Sequence, residues 1–133
     1  MKDIIWDDTL SVEIEEIDDD HRRLTDLFNM LNHSVEAGDS REYVDALLEE
    51  LISCTVWHFR HEERLMLKYQ YDGFEDHKIE HNELIDAVQA LQQKFLSEKL
   101  VPSEQDLEFL ELWLTRHILS TDMELGRYLM NVI

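Results

Sequence analysis

Four stretches of this chain repeat one spacing, in which inward-type residues recur at steps of three and four. In the first, His21, Leu24, Phe28, Leu31 and Val35 step 3-4-3-4. The second carries Val44, Leu47, Leu51, Thr55, His58, Glu62, Leu65 and Tyr69. The third carries His77, His81, Leu84, Val88, Leu91 and Phe95, and the fourth Leu107, Leu110, Leu114 and His117. Such a spacing draws a single stripe along an α-helix, so each stretch must bury one face against neighbours. Short polar breaks separate the stripes: Gly38 to Ser40, the run YQYDGF, and SEKLVPS with the only proline, Pro102. Four amphipathic helices with short connections predict an all-α fold, an up-down-up-down antiparallel four-helix bundle. One domain over 1–133 is expected, with helices at about 19–37, 40–69, 75–97 and 104–131.

Residues 1–17 read as an extended N-terminal arm. Leu10, Val12 and Ile14 alternate with polar residues, as in a strand. A lone strand has no partner in an all-helical chain, so the arm is expected to cross the bundle and bury Trp6. Asp18 to Asp20 are expected to cap the first helix, Asp39 or Ser40 the second, and Ser103 the fourth, with Asp106 three residues on.

The stripes carry polar residues, and an antiparallel bundle brings these to one end. His21 opens the first helix and His58 and Glu62 lie late in the second. At a rise of ~1.5 Å per residue, the path out from His21 and the path back to His58 are both roughly 25–30 Å. His77 and His81 open the third helix, and His117 lies late in the fourth. A lone histidine on a stripe is usually a hydrogen-bonded core residue. Five at one level with a carboxylate would leave many buried polar groups unpaired, at roughly 1–3 kcal/mol each.

A metal removes that cost by using the lone pairs. Histidine with carboxylate suits Fe, Zn, Mn or Cu. Five imidazoles exceed what one tetrahedral zinc takes, which favours two metals with Glu62 between them. A second bridge is available in Asp122. Its i,i+5 separation from His117 turns it about 140° away on a regular helix. Counting on from His117 reaches Thr121, yet Leu125 and Leu129 fall in frame with Asp122. One inserted residue, a π-bulge or local bend, would return Asp122 to the interior.

The set H21…H58-F-x-x-E62-E-x-L-M…H77-x-x-x-H81…W113-L-x-x-H117-I-x-x-x-D122 resembles the hemerythrin-like domains, specifically the single-domain bacterial ones. The resemblance covers nearly the whole chain. It implies a non-haem di-iron centre, two Fe ions joined by an oxo or hydroxo group, that binds O2 reversibly. His77, His81 and His117 would hold one iron, and His21 and His58 the other. Glu62 and Asp122 would bridge both, and Phe59, Trp113, Leu114 and Ile118 would line an apolar O2 pocket. Two positions depart from the family pattern: Glu13, where a small residue is expected, and Asp72, where proline is common.

Other residues read more plainly. His33 and His61 fall off the stripes, His33 as a surface residue and His61 as exposed or as support for a ligand. Glu63 is expected to face solvent or support a ligand, and Met30, Met66 and Trp57 to pack. Cys54 is expected to be a small buried helix residue.

A formal charge of −19 argues against nucleic acid and anionic membrane as partners. A single cysteine, the lack of a signal-peptide pattern at MKDIIWDD and the lack of a long apolar run predict a cytoplasmic protein. Expected partners are O2 and an enzyme that requires O2 or is damaged by it, with the chain a monomer or weak oligomer. Storage, delivery or scavenging of O2 is the leading role, without enzymatic turnover beyond weak oxidase or peroxidase activity. A di-iron oxidase, peroxidase or nitric-oxide-handling enzyme, an O2 or redox sensor, and a zinc or mixed-metal structural site are the alternatives.

Overall fold

The computed structural model describes residues 3–133, which form helices joined by short loops and, among the described residues, no strand. Helix α1 spans Glu15–Glu36, α2 Arg41–Lys68 and α3 Phe74–Glu98. The fourth rod is continuous but not uniform. Helix α4 (Glu104–His117) passes through a π-helical turn, Ile118–Asp122, into α5 (Met123–Val132). This turn is the inserted residue that the stripe required, and it carries both Ile118 and Asp122 inward to full burial. Helix α2 packs between α1 and α3, and α1 also meets α4, so the rods close into a four-helix bundle.

The caps explain most boundaries. Ser40 accepts from the Tyr43 amide, and Ser103 and Asp106 form a reciprocal capping box. Helix α1 differs from expectation. It starts at Glu15, four residues earlier than predicted, after Glu13 turns the chain with φ 61°. That is the left-handed region favoured by small residues, so the departure at Glu13 falls where the backbone feels it. Ile14 is the N-cap and supplies no side-chain cap; Glu15, Glu16 and Asp18 favour the helix dipole instead.

Asp18 and Asp20 therefore have other work. The Asp18 carboxylate is buried and accepts from the Val12 amide at 2.9 Å and the Ser11 hydroxyl at 2.5 Å, which ties the arm to α1. Farther along, the arm crosses α5 at Gly126, where a Cβ would stand 2.5 Å from the Val12 carbonyl oxygen. Only glycine permits that approach. Leu10, Val12 and Ile14 point inward as their alternation predicts, without forming a strand, and Asp8–Leu10 is a 3-10 turn. Trp6 is half-buried rather than buried. Ile4 fills the core in its place, and the Arg22 guanidinium lies 5.1 Å from the Trp6 ring.

Two apolar clusters sandwich the polar layer. The larger runs from Leu24, Phe28 and Leu51 to Val88, Phe95, Leu110 and Ile118. The smaller joins Val12, Ile14 and Ile17 to Met66, Leu125 and Leu129, so the arm closes the ligand-bearing end. Of the residues expected to pack, Met66 is fully buried, whereas Met30 and Trp57 are about half exposed. Helical spacing identifies a face but not whether a neighbour covers it. Cys54 is half-buried rather than buried.

Candidate metal centre

All the polar stripe residues converge. His21 comes from α1, His58 and Glu62 from α2, His77 and His81 from α3, His117 from α4 and Asp122 from the π turn. Every one of the seven is at most 4% exposed. Glu62 and Asp122 lie at the middle. The Nε2 atoms of His81, His58 and His77 approach Glu62 Oε1 at 3.1, 3.4 and 3.7 Å. Those of His21, His117 and His77 approach Asp122 at 2.8, 3.0 and 3.1 Å.

These donors sort into two overlapping groups, in each of which the ligand atoms lie within 4.8 Å of one another. One joins His77, His81 and His117 to Glu62 and Asp122; the other joins His21 and His58 to the same two carboxylates. Several of the close approaches lack hydrogen-bond alignment. The Nε2 atoms of His21, His58, His77 and His117, Glu62 Oε2 and both Asp122 oxygens are buried without a hydrogen-bond partner. Buried polar atoms in folded proteins are rarely left so. A pair of cations would engage these same lone pairs, so the donor set fits two metal ions sharing Glu62 and Asp122.

The cluster's electrostatics show what the protein holds ready for a cation. Burial opposes ionisation of Glu62 and Asp122, yet the surrounding imidazoles outweigh it and hold both carboxyls below their usual range. Burial likewise opposes protonation of His77, but Asp122 and Glu62 raise it to about 9. His58 is raised too, and His117 well raised, against burial and by the neighbouring carboxylates. Protons thus stand in for the positive charge that the carboxylates demand.

Three carboxylates outside the cluster orient its rings. His58 Nδ1 is 2.8 Å from Asp20, His81 Nδ1 2.9 Å from Glu63, and His117 Nδ1 2.8 Å from Glu80. A carboxylate on the far nitrogen fixes the tautomer and points the near nitrogen's lone pair into the site. Glu80 is itself held by the Thr121 hydroxyl at 2.5 Å. Glu63, buried and bonded to His81, takes the supporting role. His61 does likewise through Asp20, 2.6 Å from its Nδ1, and His33 is exposed beside Asp3.

Asp20 and Glu80 are the functional residues that the sequence reading did not single out. Each immediately precedes a stripe histidine yet reaches a histidine of another helix, which no local spacing reveals.

A cavity of about 10 Å³, measured for the centre of a water-sized sphere, opens beside His21, His58, His117 and Asp122. Phe59, Trp113, Leu114 and Ile118 line it, together with Leu24 and Leu84. Leu24 and Leu84 follow His21 and His81 by three residues, so their place on the stripes was the available signal. Phe59 lies flat on the His81 ring, centroids 3.9 Å apart at 6°.

Residues 12–129 match the family model for the hemerythrin HHE cation binding domain. The chain belongs to the hemerythrin family. A bacteriohemerythrin of Methylococcus capsulatus is 34% identical over 109 residues, 82% of each chain. A myohemerythrin of Theromyzon tessulatum is 26% identical, covering 90% of this chain and 88% of the relative. A crystal structure of wild-type hemerythrin superposes with a TM-score of 0.86 at 31% identity, covering 95% of this chain and 97% of the other. The hemerythrin fold and a clustered His/Glu/Asp donor set therefore occur together in this chain.

Proposed function

We propose that this protein binds O2 reversibly at a non-haem di-iron centre, with 1–133 acting as one hemerythrin-like domain. His77, His81 and His117 would hold one iron and His21 and His58 the other, with Glu62 and Asp122 available to both. When bound, the iron pair supplies two electrons that O2 takes up and returns. The observation that carries the reading is the cavity, which meets three of the four donors of one group, His21, His58 and Asp122, but only His117 and Asp122 of the five in the other. An ion held there by only four protein donors would keep room for a small ligand.

The cavity wall favours carriage over turnover. Its non-ligand residues are Leu24, Phe59, Leu84, Trp113, Leu114 and Ile118. The one polar hydrogen among these side chains, on Trp113 Nε1, is donated to the Leu84 carbonyl at 3.1 Å. A wall without a free proton donor gives an oxidase or peroxidase no acid with which to cleave an O–O bond. The arm and the smaller apolar cluster keep water from the opposite side.

The reading extends to a cytoplasmic protein that stores, delivers or scavenges O2 for an O2-using or O2-sensitive enzyme. No described helix is long and apolar enough to cross a membrane. The test is spectroscopic. The iron-loaded protein is reduced without air, exposed to O2, then returned to vacuum while the visible spectrum is followed. A charge-transfer band that forms and vanishes over repeated cycles is expected. Irreversible oxidation with peroxide release would instead favour an enzyme, and failure to retain iron would sink both.

A further inference from the structure

Side chains that line the small cavity also line two surface clefts. On one side a cleft of about 360 Å³ between α1 and α2 is lined by Asp20, Arg23, Leu24, Ser53, Cys54 and Trp57, with His58. Leu24 and His58 belong to both this cleft and the cavity. On the other side a cleft of about 340 Å³ between α3 and α4 shares Leu84, Trp113 and His117 with the cavity. Cavity and cleft share lining side chains on each side, so there are two candidate ways in for a small molecule.

The two partitions differ in what holds them. Trp113 is tied through Nε1 to the Leu84 carbonyl, and His117 through Nδ1 to Glu80, which Thr121 also holds. Opening the α3–α4 side by moving the indole or the imidazole breaks a hydrogen bond. In the other partition His58 is tied to Asp20, but Leu24 is held by apolar contacts alone. A leucine changes rotamer without giving up a hydrogen bond, and the α1–α2 cleft offers space into which its side chain can swing. Leu24 itself is 1% exposed, so its side chain fills the boundary between cleft and cavity.

We propose that Leu24 is the gate through which a small apolar diatomic such as O2 reaches the cavity, and that the α1–α2 cleft is its vestibule. The route leads to the His21 and His58 side, where the four-donor group lies. Leu84 is also without a side-chain hydrogen bond, but the cleft it fronts leads to His117 of the five-donor group. The proposal takes its ligand from the O2-binding reading above, but it can fail separately, because access can be measured without iron.

Two measurements test it. In the full-length protein with Trp6 and Trp57 replaced by phenylalanine, Trp113 reports from the cavity wall, and dissolved O2 quenches its fluorescence. In the iron-loaded protein, stopped-flow mixing gives the O2 association rate. Ser53→Phe, at an exposed position, fills the α1–α2 cleft, and Ala87→Phe fills the α3–α4 cleft. Ser53→Phe should slow both quenching and association by about tenfold, equivalent to about 1.4 kcal/mol on the barrier. Ala87→Phe should leave association unchanged and remove only the quenching of Trp113 from the α3–α4 side, and Leu24→Ala should speed both. Slowing of association by Ala87→Phe with no effect of Ser53→Phe would overturn the proposal, as would insensitivity to both. If the iron-loaded protein takes up no O2 while quenching still depends on Ser53, the function fails and the gate stands.

Discussion

The two halves of the metal centre share Glu62 and Asp122 but are built differently. The half around His77, His81 and His117 gathers five protein donors, and two of its rings are backed by Glu63 and Glu80. Near it, the Trp113 indole is fixed by a hydrogen bond to the Leu84 carbonyl. The half around His21 and His58 has four donors, and only His58 has a backing carboxylate, Asp20. Beside it lie the cavity and Leu24, a residue held by packing alone. On the proposed reading, one half would wrap its ion with five protein donors and the other with four, leaving room for a ligand. The contrast teaches that ligand binding needs a protected vacancy as much as it needs donors.

Substitutions can break the contrast, and those at the shared carboxylates should act hardest. Asp122→Ala removes a donor from both groups and leaves buried imidazoles facing an empty space. Loss of both ions is expected, measured as metal retained after gel filtration. A variant that keeps both would show that Asp122 is not shared. Single-histidine changes should then separate the halves. His21→Ala leaves three donors on its side and should yield one ion per chain, whereas His77→Ala leaves four and should keep two, more weakly held. Equal losses from the two variants would erase the distinction.

The supporting carboxylates come next. Asp20→Asn and Glu80→Gln should each weaken metal binding by about 10–100-fold, read by chelator competition. Asp20→Asn should affect the ion at His58, and Glu80→Gln the one at His117. An equal effect of each on both ions would argue against that division.

How much of this was legible in the chain depends on which residues speak locally. The bundle was readable because a stripe at 3-4 spacing has few ways to be buried. Even the π turn could be read, since Leu125 and Leu129 fall out of frame with His117 by one residue. Asp18 and Asp20 misled for the same local reason that acids before an apolar run suggest a cap. Their true partners, the arm backbone and His58 with His61, lie elsewhere in the fold. Trp57 and Met30 misled because spacing cannot say which helix face goes uncovered. Leu24 was visible as a stripe residue, while its place between a cavity and a cleft is a property of three dimensions.

The gentlest expected effect is on pH dependence. Metal binds neutral imidazole, so it must displace the protons that Asp122 and Glu62 hold on His77 up to about pH 9. Apparent affinity should rise with pH from the usual imidazole value of 6.5 towards 9. In the metal-free protein the signs run separately for the two kinds of group. His77 contributes stability that is complete below 6.5 and lost as pH rises through about 9, and the raised His58 and His117 act with the same sign. The lowered carboxyls contribute stability above the usual 4.5 of glutamate that is lost as pH falls below it. Urea unfolding of the metal-free chain should therefore show a maximum between those limits, absent a maximum if the cluster is not ion-paired.

The most direct test counts iron and O2 together on one sample. The reduced, iron-loaded chain is titrated with O2 while bound gas and iron are both measured. The account predicts two irons per chain, one O2 taken up per iron pair, and full release of that O2 under vacuum. One iron per chain, or O2 consumed without being recoverable, would contradict it.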